Sequence, residues 1–254
     1  MPPTDDNSYV ESQAMSLGDH IDELRKRLIL AVLGAMIGIG IGLCYASSAI
    51  AWLRAPYEKV MREANLDPHL QTITPTDGFT SYMQIAMWFG IVLASPWIIY
   101  QLWKFVSAGL YTKEKRYVYL AAPASAILFI LGVMLSVMVI TPLTLQFLVT
   151  FNKDWLGIVS AFTFQSYMSF MVTMMLAFGL SFETPIVMFF LNKFGILPLS
   201  LITQSRRYVI LAVVVIAAVL TPGSDLISLT ALAVPLYMLF ELGVLLIWLF
   251  GKRA

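Results

Sequence analysis

Charged residues are scarce in this chain. They make up 12% of it, against roughly a quarter of a soluble domain, and they gather between long uncharged runs. Too few remain to coat a water-soluble globule of this size. Sixteen Lys and Arg stand against 15 Asp and Glu, a formal net charge of +1, so there is no cationic field for bulk nucleic-acid binding. The single cysteine, Cys44, excludes an internal disulfide. Its apolar surroundings give it the reading of a small buried hydrophobe. Both histidines, His20 and His69, lie outside the uncharged runs, which argues against an intramembrane Ser–His protease. The chain has no Gly-x-x-x-x-Gly-Lys-Ser/Thr, His-Glu-x-x-His or Gly-x-Ser-x-Gly motif, so the chemistries that depend on those motifs have no residues to carry them. No enzyme activity, cofactor or metal site is expected.

What the chain does have is apolar length. Fully 59% of it is hydrophobic. Leu28–Leu53 and Gly78–Trp103 are each 26 uncharged residues long. Tyr117–Asn152 is a third run, in which Pro142 sets an expected end near Ile140. Trp155–Phe182 continues past Glu183 to Leu191, Tyr208–Ser224 is shorter, and Leu226–Phe250 is interrupted only by Glu241. A bilayer core about 30 Å thick needs roughly 20 apolar residues in a helix. Stretches such as Val209–Leu220 are apolar on every face, which excludes the period-two alternation of a membrane barrel. The expected fold is therefore an all-α integral membrane protein with six transmembrane helices, near residues 28–53, 79–103, 117–141, 162–191, 208–221 and 227–250. The first span is too long for a signal-peptide core and lacks an obvious cleavage site, so it reads as retained. Residues 1–15 read as a polar, disordered tail before one membrane domain over 16–254.

The cations orient the spans. With the N-terminus inside, the inner segments carry twelve Lys and Arg and the outer ones four, so both termini are expected on the cytoplasmic side. Val209–Leu220 reaches only about 18 Å before Thr221–Pro222, and the last span contains Pro235 and Glu241. The fifth and sixth helices are thus expected to be short, thinning one side of the protein.

The few polar residues are the candidate functional groups. Ser16 and Asp19 resemble a helix start. Leu17, Ile21, Leu24 and Leu28 then form an apolar stripe suited to the inner membrane surface. Asp22–Lys26 and Glu23–Arg27 are spaced as helix-supporting pairs, while one carboxylate left free could take a guanidinium. Glu114 is the sole acid among Lys104, Lys113, Lys115 and Arg116, either neutralised by them or held by them as a binding group. Glu183 precedes Lys193 by ten residues, about 15 Å of helix, which sets it near mid-bilayer. A carboxylate there is a functional candidate by default, and Pro185 removes a hydrogen bond from the carbonyl of Ser181 beside it. Glu241 stands at a similar depth before Lys252. Asp225 has the spacing of an outer turn, and Gly34, Gly38 and Gly42 form a stripe for close helix packing.

Several of these segments resemble the TatC family, the multi-span receptor subunit of the twin-arginine protein translocase. They are His20-Ile-Asp-Glu-Leu-Arg-Lys-Arg-Leu28, Arg54-Ala-Pro56, Ser95-Pro96 with Tyr100-Gln-Leu-Trp-Lys-Phe105 through Tyr111-Thr-Lys-Glu-Lys-Arg116, Phe178-Gly-Leu-Ser-Phe-Glu-Thr-Pro185, and Thr221-Pro222…Asp225…Pro235-Leu-Tyr-Met-Leu-Phe-Glu241. Together, in one order, they are specific. The resemblance implies a concave, glove-like bundle that binds twin-arginine signal peptides. It implies assembly with single-span TatA- and TatB-like partners and with further copies of itself, and export of folded proteins across the cytoplasmic membrane on the proton-motive force. It assigns Glu23 and Glu114 to the signal arginines, with Leu24, Phe105, Arg25 and Arg27 around them. Glu183 matches the intramembrane acid, with Glu241 as a second intramembrane polar position, and Pro56 and Asp225 match the outer side. The last outer turn, Thr221-Pro-Gly-Ser-Asp225, is one residue longer than the family's usual Thr-Pro-Pro-Asp, and Leu229 stands where Gln is common. From the residues alone, a proton-coupled small-solute transporter using Glu183 and Glu241 is the competing function.

Overall fold

The computed structural model describes residues 17–109, 115–220 and 226–251. The polar tail, the Ser16 cap, Glu114 with most of its loop, and Asp225 with the turn before it lie outside the described residues. Within them the regular structure is helical: α1 (Leu17–Glu63), α2 (Asp77–Ala108), α3 (Lys115–Leu135), α4 (Thr141–Asp154), α5 (Phe164–Ser181), α6 (Thr184–Lys193), α7 (Leu199–Gln204), α8 (Arg206–Leu220) and α9 (Leu226–Phe250). A π-helical turn over Ser136–Ile140 joins α3 to α4, and one isolated bridge pairs Gln71 with Thr163.

Among the described residues, five helical stretches are long and apolar enough to cross a membrane: Gly18–Glu63, Asp77–Ala108, Val118–Asp154, Phe164–Lys193 and Leu229–Phe250. Where six spans were expected, α8 is the exception. Its 15 residues rise about 22 Å, less than a bilayer core. The last helix, in contrast, is not short. It runs 25 residues straight through Pro235, because the hydrogen bond that proline removes is outweighed by packing of Leu232 and Leu236 on Met174, Phe178 and Ala217.

Two further expectations shift for local reasons. Pro142 does not end the third helical stretch, which continues through the π-turn and α4 to Asp154. It has no N–H to offer, and the widened π-turn just before it takes up the mismatch, with Thr141 donating to the carbonyl of Ser136. Cys44 is exposed on α1 rather than buried, because α1 turns a different face to its neighbour.

That neighbour is α2, and glycine sets the contact. A Cβ on Gly42 would stand 2.2 Å from the carbonyl oxygen of Ala86, and one on Gly38 would stand 2.4 Å from that of Gly90. Gly38 and Gly42 therefore bring two backbones together as the stripe's spacing predicts, while Gly34 makes room for the Trp97 indole. Behind this pair, α3 and α5 pack closely, with Gly132 against the carbonyl of Phe178. One core spans α1 to α6, and α8 and α9 attach through smaller clusters on α5 and α6. Val219 on α8 remains 80% exposed, as a peripheral helix requires.

Candidate functional site

The first turns of α1 and the last turns of α2 meet at the end of the bundle expected to be cytoplasmic. Their apolar positions are not self-satisfied: Ile21, Leu24 and Leu28 are exposed, Leu24 by 45%. Beside this stripe, Arg27 donates from Nε (2.6 Å) and Nη2 (2.5 Å), both to Oε1 of Glu23. Its Nη1 donates to Oε1 of Gln101 at 3.2 Å. Gln101 is 2% exposed, so it anchors the arginine to α2. The Glu23 and Arg27 side chains are 19% and 14% exposed, sheltered enough to escape most salt screening. The other expected pair, Asp22–Lys26, does not form among the described residues. Both Arg27 contacts fall on one carboxylate oxygen, which leaves Glu23 Oε2 available to a second guanidinium.

Phe105 completes this corner. The His20 ring stacks on it at 4.7 Å, and Gly109 supplies the room, since a Cβ there would press to 3.3 Å from His20 Cε1. Arg25 lies on the exposed side of α1. The structure therefore gathers Glu23, Leu24, Arg27 and Phe105 at one corner and adds His20 and Gln101. Gln101 could have been noticed as an amide inside an apolar run.

Glu183 occupies the break between α5 and α6. The chain turns there because Pro185 sits in the first turn of α6, while Glu183 N–H reaches back only three residues to Leu180. Ser125 on α3 interacts with the Glu183 carboxyl. The Ser125 hydroxyl in turn accepts Nε1–H of Trp103 from α2 at 2.9 Å. Trp103 packs on Phe190 of α6 at 4.4 Å. Glu183 Oε1 is buried without a protein hydrogen-bond partner. A carboxyl half-held in this way can exchange a proton or receive a donor from outside. Neither Ser125 nor Trp103 was marked as a site residue by its sequence context.

Glu241 has a separate environment. It accepts from Arg206 Nη2 at 2.9 Å and from the Tyr237 hydroxyl at 2.6 Å, which joins α9 to the start of α8. It shares no partner with Glu183.

At the opposite end, Pro56 lies within α1, and Tyr167 donates to the nearby Leu53 carbonyl at 2.7 Å. The two loops there are sewn together by Gln71 N–H to Phe162 O at 3.2 Å and Phe164 N–H to Gln71 O at 2.7 Å. Lys153 adds a bond to the carbonyl of Ala64. No metal-binding cluster occurs among the described residues.

Known proteins share this fold. The sequence profile of the family described as Sec-independent protein translocase protein (TatC) matches residues 19–235. A Sec-independent protein translocase protein TatC of Aquifex aeolicus is 33% identical over 240 residues, covering 94% of this chain and 96% of its own. TatCy of Bacillus subtilis is 34% identical, covering 91% and 88%. A crystal structure described as twin arginine translocase receptor TatC superposes with a TM-score of 0.80 at 33% identity, over 91% of this chain and 98% of that one. The relatives are named as components of a protein translocase, a transport role rather than a catalytic one. This multi-pass membrane chain belongs to the TatC family of Sec-independent protein translocase proteins.

Proposed function

We propose that this protein is the receptor of a twin-arginine translocase in a bacterial cytoplasmic membrane, with both termini on the cytoplasmic side. Glu23, with Glu114 from the adjoining loop, takes the two arginines of a signal peptide. The apolar part of the peptide lies on Leu24, Phe105 and the stripe beside them. The observation that carries this reading is the sheltered Glu23 carboxylate, whose Arg27 contacts converge on one oxygen and leave the other for a guest. A guanidinium fits that oxygen with a directed, charge-assisted bond that an ammonium makes less well.

The short α8 then counts as a sixth, thinned span, and Glu183 as the polar group beneath the thin region. The thin edge lowers the barrier to a folded passenger. It also offers a surface to single-span TatA- and TatB-like partners, and to further copies of the chain, in a complex driven by the proton-motive force. The solute-transporter reading has less support, because Glu241 is already engaged by Arg206 and Tyr237.

The test is photo-crosslinking in native membranes, with the probe replacing Leu24 or Phe105. A twin-arginine signal peptide should be captured, and its twin-lysine counterpart should be captured much less. Equal labelling of the two would remove the arginine-receptor assignment. Vesicles containing only this chain should show no substrate-dependent proton uptake, and such uptake would favour the transporter.

A further inference from the structure

An apolar groove of about 500 Å³ opens between α3, α6 and α9, and none of the Glu23-corner residues lines it. Its floor is wide because Ala121 and Ala124 on α3 are small. Ile186 and Phe189 form one wall, Phe250 lies toward one end, and among the described residues Lys193 is the one charged residue in the lining. Its volume falls within the range of small-ligand pockets, about 300–1,000 Å³. We propose that this groove holds an anionic phospholipid, with an acyl chain along the apolar walls and the phosphate at Lys193.

The charge around the groove selects that occupant. Lys193 closes α6, where the helix dipole favours a cation, and its ammonium carries three donors. Lys115 and Arg116 open α3, five and four residues before the groove residue Leu120, and the chain beyond Phe250 continues into Lys252 and Arg253. In sequence, each of the three helices that line the groove is therefore flanked by basic residues, and the acids nearest to groove residues are Glu183, Glu241 and Glu114. Basic pockets between membrane helices suit anionic headgroups. A zwitterionic lipid brings its own cation to the same place. An arginine-bearing peptide would face like charge at Lys193.

The experiment uses the full chain in nanodiscs of mixed phosphatidylglycerol and phosphatidylcholine, extracted and weighed intact by native mass spectrometry. The wild type should retain phosphatidylglycerol in preference to phosphatidylcholine. Lys193→Gln should lower that preference about fivefold, the equivalent of ~1 kcal/mol for one basic contact. Lys193→Arg should keep it, as should Lys59→Gln at the far end of α1. Ala124→Leu should reduce retention by filling the groove, and if that variant misfolds, the Lys193 pair still decides. Equal retention of both lipids, or an unchanged preference in Lys193→Gln, overturns the proposal. So does a crosslinker at Ala124 that labels signal peptide or partner helix rather than lipid. None of these outcomes bears on the Glu23 site.

Discussion

Glu23→Gln keeps the shape of a side chain and removes its charge, which makes it the sharpest probe of the proposed receptor corner. In the wild type, Glu23 and Arg27 cancel each other. After the substitution, Arg27 remains cationic and only 14% exposed, with Gln101 as its fixed acceptor at 3.2 Å. A guest guanidinium then loses a bond to a charged group, worth about 1.5–3 kcal/mol, and meets repulsion from Arg27. At about 1.4 kcal/mol per tenfold, affinity for a twin-arginine peptide should fall roughly 10- to 150-fold. Arg27→Gln breaks the same ion pair with the opposite outcome. It leaves Glu23 as an unshared anion, so affinity should hold or rise. The assay is fluorescence anisotropy of a labelled signal peptide on the full chain in nanodiscs, with a twin-lysine peptide alongside. A pair that only supports the helix would make both variants fall together. That parallel loss, or a change under twofold in Glu23→Gln, would refute the reasoning.

Four other outcomes are expected. Glu183→Ala should stop export of a folded reporter into inverted vesicles while signal-peptide affinity stays within about twofold; normal export would make the acid a structural group. Ser125→Ala should strand the buried Trp103 N–H and lower the unfolding free energy in detergent by about 1–3 kcal/mol, whereas Trp103→Phe with Ser125→Ala should recover part of the loss. Gly42→Val should cost about 1–3 kcal/mol or more, because its Cβ meets the carbonyl of Ala86, while Gly40→Val, which has open space around it, should pack without penalty; equal loss in both would exclude the backbone contact as the cause. In the loop between α1 and α2, hydrogen bonds from the His69 ring and N–H hold the Asp67 carboxyl below its ordinary 3.8. A carboxyl depressed on folding contributes above its unfolded pKa and loses that contribution as pH falls through the folded one, so Asp67→Asn should slightly flatten the acid side of the stability profile, and a steeper acid side would reverse the sign.

The sequence by itself determined the class of this protein and the location of most of its helices. Water decides that much: uncharged runs near 26 residues can satisfy their backbone only as helices inside a bilayer. The four-residue repeat of Gly34, Gly38 and Gly42 was equally legible, because close backbone contact needs that spacing and nothing larger. The acids also stood out, since a carboxylate is costly in an apolar run. Only the tertiary structure decided what those acids meet. Gln101 reaches Arg27 across 74 residues, Ser125 links Trp103 to Glu183, and Arg206 engages Glu241 across 35. Cys44 and the α3–α6–α9 groove belong to the same category. In water, the polar face of a helix tells which way it points. In a membrane, lipid and protein interior are both apolar, so a helix such as α8 carries no mark of its rotation. Which side faces a neighbour follows from packing against helices distant in sequence, and so does the placing of every polar partner.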